Sequence, residues 1–459
     1  MIYSNNGKQK TMKNFLTNRW VKFAIASIAY ILLFVVWTGN PWLLLGLPFI
    51  YDYFISRLVY RYIGTKNDAL RAKYPLYNSI YGWIDAIVWA TVVAHLVHLF
   101  IFQLYVVPTS SMEKTILIGD YLYVSKLSYG PQVPNTPVAM PFVYNTMPFS
   151  STKKSYSECV KWDYHRLRGR GKVEREDVVV FNFPAGDTVL LENQAATYYD
   201  VLREYQDIFG KEEGRKQLYK DYTVIARTVD KRENYIKRCV GVPGDTLQVI
   251  NTELFVNGEA QPACEERQYI YFVKTTAPLS EYAFSNLNIT EYNGTAPYYY
   301  VATTEKGAEQ LRKFKSVEMV ERYNNTEPSL DAFPHHADYA WTQDNFGPLW
   351  VPQKGATIEL TTANLPLYER IIDQYEGHDL RTEGDKIFID GVEASTYTFA
   401  MDYYFMMGDN RHCSADSRYW GFVPEDHIVG TPSFVWLSLD KYKPFPSNIR
   451  WSRMFKNHK

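Results

Sequence analysis

Three apolar stretches within the first 107 residues constrain this chain more than any other feature, because runs of that length call for a bilayer as solvent. Trp20–Trp37 is apolar except for Lys22, Ser27 and Tyr30. As a helix it would be about 27 Å long, close to the thickness of the hydrocarbon layer. It is too long for a removable signal segment and lacks a small-residue cleavage site. Pro41–Ile55, weakened by Asp52, and Ile84–Val107 follow. The expectation is a membrane region over 20–107 with spans at about 20–37, 41–57 and 84–107, the second either crossing or re-entrant and more simply crossing. Lys8, Lys10, Lys13 and Arg19 precede the first span, and Arg57, Arg61, Lys66, Arg71 and Lys73 lie between the second and third. The positive-inside rule makes residues 1–19 a cytoplasmic tail, puts Thr38–Asn40 outside, and leaves everything from Pro108 onward extracytoplasmic. His95 and His98 share a helix face in the third span, but two ligands are too few for a metal site, and helix packing or an interfacial position explains them.

The mean hydropathy of the whole chain is nevertheless -0.30, so the rest must be a polar body. A net charge of -1 without a basic patch or tail argues against nucleic acid. The 38 tyrosines suit a β-rich, interfacial domain. Strand-like runs occur at Gly119–Val124, Asp177–Phe183, Tyr235–Val240, Thr246–Ile250, Glu253–Val256, Lys386–Ile389, Tyr403–Met407 and Ser433–Leu437, with turns at Asn251-Thr252 and Asp390-Gly391. Asn193–Tyr222 reads as helical. Residues 131–149 are too proline-rich for a regular element, and form either a ribbon touching the membrane through Met140, Phe142, Met147 and Phe149 or a satellite core under a loop. The polar, aromatic-rich stretch 261–385 reads as an inserted subdomain, leaving 108–260 and 386–459 as a catalytic β domain. Cys159, Cys239, Cys264 and Cys413 have no metal-ligand spacing; they are free thiols or form one or two disulfides.

Three segments carry groups that could cooperate chemically. Pro108-Thr-Ser-Ser-Met112 presents hydroxyls just after the last apolar run. Tyr235-Ile-Lys-Arg-Cys-Val-Gly-Val-Pro-Gly-Asp245 sets Lys237 between Ile236 and Val240, where desolvation would favour a neutral amine able to act as a base. Gly408–Gly421 is dense in charge and hydroxyls. Taken singly, each is more simply a turn, a surface lysine or a hydrogen-bonded loop.

Taken together and in this order, the segments resemble bacterial type I signal peptidase, or leader peptidase, a Ser-Lys dyad peptidase family. That family has a serine before a methionine, a Gly-Asp strand, a KR-x-x-G-x-PGD stretch and a GDNR-x-x-S-x-DSR-x-WG box. Here these read Ser111-Met112, Gly119-Asp120, Lys237-Arg238 through Asp245, and Gly408–Arg411 through Ser414, Asp416–Arg418 and Trp420-Gly421. The resemblance implies N-terminal transmembrane helices followed by a mainly-β extracytoplasmic catalytic domain of signal-peptidase-like fold. It implies Ser111 as nucleophile, Lys237 as general base, Thr109 Oγ1 and the Ser111 N–H as oxyanion hole, and Ser414 orienting the amine. Arg238, paired with Asp409 or Asp416, and Arg418 would be supports, and Met112 a substrate-binding position. The usual Ser-Gly of the first box is Thr109-Ser110 here, the Met-x-Pro-Thr-Leu continuation is Met112-Glu-Lys-Thr-Ile116, and the usual Asp-Asn of the last box is His412-Cys413.

The activity so implied is that of a multi-pass inner-membrane (cytoplasmic-membrane) serine endopeptidase that removes signal peptides from exported preproteins, cleaving after small residues at -1 and -3. It needs no metal or cofactor. Its partners are preprotein signal peptides, the lipid bilayer and the export machinery. A self-cleaving Ser-Lys regulator fits the membrane spans less well. A catalytically inactive, membrane-tethered binding protein of the same fold is the alternative, opposed by the intact Ser111, Lys237 and Ser414.

Overall fold

The computed structural model describes residues 18–36, 41–150, 152–194, 196–262 and 264–457. The expected tail before Asn18, and Thr38–Asn40, lie outside the described residues. The chain divides into two compact units, Met1–Leu99 and Phe100–Lys459.

In the first unit Arg19–Val36 is helical and apolar enough to cross a membrane, as is the longer helix Pro75–Phe100. The second apolar run is not a straight span. Leu43–Ser56 and Tyr60–Lys73 are two helical pieces bent by 60°, a broken span or a re-entrant loop. Asp52 makes the break: its carboxylate accepts from Leu58 N at 2.6 Å and Val59 N at 3.2 Å, and also takes the Ser56 hydroxyl. Those backbone donors would otherwise go unsatisfied at the start of the second piece. Arg57 adopts a left-handed conformation (φ 51°) at the bend.

The second unit is built on a seven-stranded sheet whose strands are β1 (Phe102–Val106), β2 (Asp120–Ser125), β3 (Val178–Asn182), β4 (Asn234–Gly241), β5 (Tyr403–Met407), β6 (Val423–Pro424) and β7 (Ile428–Ser438), in the spatial order β1-β2-β7-β3-β4-β5-β6. Every neighbouring pair is antiparallel. The expected third span, 84–107, is corrected here. Its helix stops at Phe100, and Phe102–Val106 pairs with Tyr121–Ser125 instead, Phe102 stacking on Tyr123 at 4.4 Å. An apolar run of aromatic and branched residues serves helix or strand equally well, and a neighbouring strand edge decides between them.

The sheet buries both faces. Val178 and Val180 pack with Val107, Met112, Ile116, Leu122 and Val124 on one face, and Val179, Phe181 and Cys239 pack with Tyr404, Met406 and Val423 on the other. That is why β3 reads as an unbroken Val-Val-Val-Phe run rather than an alternating one.

Residues 261–385, expected as one insertion, are shared between bodies. Gln268–Thr275, Glu291–Thr295, Tyr298–Thr304 and Val317–Arg322 form a four-stranded sheet with its own core around Tyr271, Val273, Phe284 and Val301. Phe346–Trp350 instead pairs with Thr246–Ile250, and its Phe346 and Leu349 join a core with Val240, Leu247, Phe405 and Met407. Asn193–Tyr222, expected helical, contains two helices, Tyr198–Phe209 and Lys211–Asp221. All four cysteines are free thiols. In the proline-rich arm, Met140, Phe142 and Phe149 are exposed while Met147 is half-buried, so no satellite core covers the first three.

Candidate active site

β4 contributes two neighbouring basic residues to the site. Successive side chains of a strand leave on opposite faces. Arg238 pairs across to Val178, on the face of Ile236, and Lys237 to Val179, on the face of Tyr235 and Cys239. β5 pairs with β4 only from Arg238 to Gly241, so among the described residues Asn234–Lys237 has a strand partner on one side alone.

Ser111 stands beside that half-open segment. It is buried in a tight turn after Pro108, in which Glu113 N donates to Ser110 O at 2.9 Å and Ile116 N to Met112 O at 2.7 Å. The Lys237 amine donates to Ser111 Oγ at 2.7 Å and to the carbonyl of Ile236 at 3.1 Å. Residues 126 positions apart are thus in hydrogen-bond contact. Burial pushes the Lys237 amine down from its ordinary 10.5 to about 8, partly opposed by the carboxylates of Asp416 and Asp409. Thr109, at the exposed start of the turn, has its Oγ1 3.5 Å from Ser111 Oγ.

The last box closes over this turn. Asn410 N donates to Ser111 O at 3.1 Å, and Asn410 Nδ2 to Ser110 O at 3.3 Å. The approach is so close that a Cβ at Gly408 would lie 2.2 Å from Ser414 Oγ and 2.6 Å from Ser111 O, so only glycine fits there. Asp409 takes Arg238 in a two-pronged bond, Nε to Oδ1 at 2.8 Å and Nη2 to Oδ2 at 2.7 Å, and also accepts from Thr115 Oγ1 at 2.6 Å. Burial works against the charge of Asp409, but Arg238 and Thr115 more than offset it and hold the carboxyl below its ordinary range. For Arg238 the same partner outweighs burial and holds the guanidinium above its ordinary value. Asp416 is taken by Arg418, at 2.9 Å from Nε and 2.8 Å from Nη2, and accepts from Gly408 N at 3.0 Å. The partner of Arg238 is therefore Asp409, and that of Asp416 is Arg418.

One expectation is corrected. Met112 is fully buried among Val107, Ile116, Leu122 and Val178, so it anchors the turn and offers no surface to a peptide. Ser414 lies close to Gly408 with its hydroxyl buried and without a hydrogen-bond partner, and the Lys237 amine is not bonded to it. Sequence reasoning overlooked Thr115 and Asn410, although Asn410 lies inside the last box. It also overlooked what His412 does. The His412 ring accepts from Ile270 N at 3.0 Å through Nδ1 and meets Asp344 at 3.1 Å through Nε2, tying the 268–322 sheet to the loop that holds Asp409 and Ser414.

The sequence model of the family described as signal peptidase, peptidase S26, matches residues 80–318 and 355–437, well over half of the chain. Signal peptidase I of Haemophilus influenzae is 22% identical over 409 residues, covering 87% of this chain and 82% of that protein. Signal peptidase I of Helicobacter pylori (strain 26695) is 24% identical over 390 residues, covering 83% and 93%. That of Buchnera aphidicola subsp. Acyrthosiphon pisum is 24% identical over 369 residues, covering 78% and 76%. The chain belongs to the peptidase S26 family of signal peptidases.

Proposed function

We propose that Ser111 and Lys237 are the nucleophile and general base with which this membrane-bound serine endopeptidase removes N-terminal signal peptides from exported preproteins. The observation that carries the assignment is the 2.7 Å contact between a buried lysine amine, brought down to about 8, and a buried serine hydroxyl.

The neutral amine takes the Ser111 proton as Oγ attacks the scissile carbonyl. Negative charge then develops on the substrate oxygen, where the Thr109 hydroxyl and the Ser111 N–H supply donors. Lys237 returns the proton to the leaving amine of the mature protein, then takes one from the water that hydrolyses the acyl-enzyme. The substrate segment lies extended along the open side of Asn234–Lys237, adding a strand to β4 through backbone hydrogen bonds. Small residues at -1 and -3 fit that geometry, since alternate side chains of a strand point the same way, into the sheet beside Ile236. Arg238–Asp409 and Arg418–Asp416 hold the last box against the Ser111 turn, and Ser414 is the group free to meet the amine as it gains the proton.

In this reading residues 1–19 and 58–83 face the cytoplasm, and the body from Pro108 onward faces outward across the inner (cytoplasmic) membrane. The bilayer and the export machinery are then its partners. The exposed Met140, Phe142 and Phe149 lie against the membrane surface. The deciding experiment is cleavage of a preprotein by the detergent-solubilised chain, with the new N-terminus mapped. The parent turns over and Ser111→Ala does not, whereas retained cleavage in Ser111→Ala moves the nucleophile elsewhere.

A further inference from the structure

The cluster behind Asp409 carries more positive charge than its acids neutralise. Arg238 is matched by Asp409 and Arg418 by Asp416. Arg267 and Arg411, each only 2% exposed, have no hydrogen-bond partner at Nε, Nη1 or Nη2. They stand on the same side of a short parallel bridge, Gln268 to Asn410, in which Gln268 N donates to Asp409 O and Arg411 N to Gln268 O, both at 2.9 Å. In parallel pairing this sets Arg267 beside Asp409, and Tyr269 beside Arg411. The carboxylate of Asp409 is engaged by Arg238 and Thr115, and Asp344 is engaged by His412. The two guanidiniums are close enough to interact: Arg411 is pushed down to about 10, by burial first and by the Arg267 charge next.

A buried cation without a partner is among the most costly groups a fold can contain. The amide oxygens of Gln268 and Asn410, also buried and unpartnered, belong to the opposite side of that bridge and carry no charge that could neutralise the arginines. Water has the same shortcoming. We propose that Arg267 and Arg411 form a binding site for a small inorganic anion, a halide or a tetrahedral oxyanion, at the join between the 268–322 sheet and the loop carrying Asp409 and Ser414. The anion pairs with both guanidiniums and ties the accessory sheet to the catalytic loop. It touches neither Ser111 nor Lys237, so its effect on turnover is indirect.

The test is thermal unfolding of the full chain in detergent, titrated with sodium chloride, bromide or sulfate against sodium gluconate at constant ionic strength. Gluconate is too bulky for a site between two buried side chains. The unfolding temperature of the parent should rise by several degrees and saturate with the small anions, unlike general salting effects, which keep growing with concentration. The double variant Arg267→Gln, Arg411→Gln should lose the saturating rise. Should that variant not fold, bromide-soaked crystals of the parent decide, with an anomalous peak expected between the two guanidiniums. An unfolding temperature that follows ionic strength alone, a saturating rise kept in a folded double variant, or a bromide peak absent from that position overturns the proposal.

Discussion

The two sides of β4 treat adjacent basic residues in opposite ways. Lys237 and Arg238 are buried to 4% and 3% exposure. Toward Asp409 and Thr115, Arg238 finds a fully hydrogen-bonded carboxylate and stays charged. Toward Ser111, Lys237 finds a hydroxyl and a backbone carbonyl, neither able to neutralise it, and is brought down to about 8. Burial is thus common to both, and the partner decides whether a cation is kept as a fixed structural charge or becomes a base. Lysine suits the second role because its amine can lose a proton within reach of neutral pH, and arginine suits the first because its guanidinium cannot.

The comparison breaks most sharply if the two residues prove interchangeable. Lys237→Arg should abolish preprotein cleavage in a single-turnover assay while the protein remains folded by circular dichroism, because a guanidinium cannot accept the Ser111 proton. Measurable cleavage would remove Lys237 from the general-base role. Next in size is Arg238→Gln, which strands the buried Asp409 carboxylate and should cost about 3–5 kcal/mol in denaturant unfolding. A loss below about 1 kcal/mol would mean that the pair on that side is not structural. Thr109→Val should slow cleavage about 10²- to 10³-fold if its hydroxyl stabilises the oxyanion, with no comparable loss of stability.

Lys237→Met should be inactive yet more stable than the parent, the reverse of Arg238→Gln. The displacement from 10.5 to about 8 corresponds to about 3 kcal/mol. The sign follows from proton uptake. Between about 8 and 10.5 the unfolded chain binds more protons at this lysine than the folded one, so the parent gains stability as pH rises through that window. The advantage of Lys237→Met should therefore be full below about 8 and vanish by about 10.5, and a pH-independent difference would contradict it. The finest test is the pH profile of kcat/KM in the parent, which should rise with a midpoint near 8. A midpoint near 10 would mean that the amine is effectively in water.

Much of the β scaffold was legible because its strands carry dense local signals. Thr246–Ile250, Glu253–Val256, Lys386–Ile389 and Tyr403–Met407 are found at the expected residues, each a compact run of branched or aromatic side chains bounded by a turn. The candidate site was legible through a different route. Composition and periodicity made Ser111, Lys237 and the last box interesting only singly, and their combination became meaningful through resemblance to one family. Where reading failed, the information was non-local. Phe102–Val106 continues an apolar helix until Tyr121–Ser125 offers it a strand edge. Met112 follows the serine in sequence, but its side chain is taken by the core around Leu122. The stretch 261–385 looks uniform in composition, and only the pairing of Phe346–Trp350 with Thr246–Ile250 divides it.

By itself, then, the sequence determined where apolar helices suit a bilayer, which runs prefer strands, and which residues are chemically able to act as nucleophile, base and buried ion pairs. These follow from side-chain chemistry and short-range spacing, which a linear chain carries in full. The tertiary structure alone decided that Lys237 faces Ser111 while Arg238 faces Asp409, that Asp52 bends the second apolar run, and that His412 fastens the 268–322 sheet to the loop carrying Asp409 and Ser414. The physical reason is that proton affinity and hydrogen-bond satisfaction depend on what surrounds a group. Apart from Asp52, whose partners lie within seven residues, those surroundings are assembled here from segments more than a hundred residues apart.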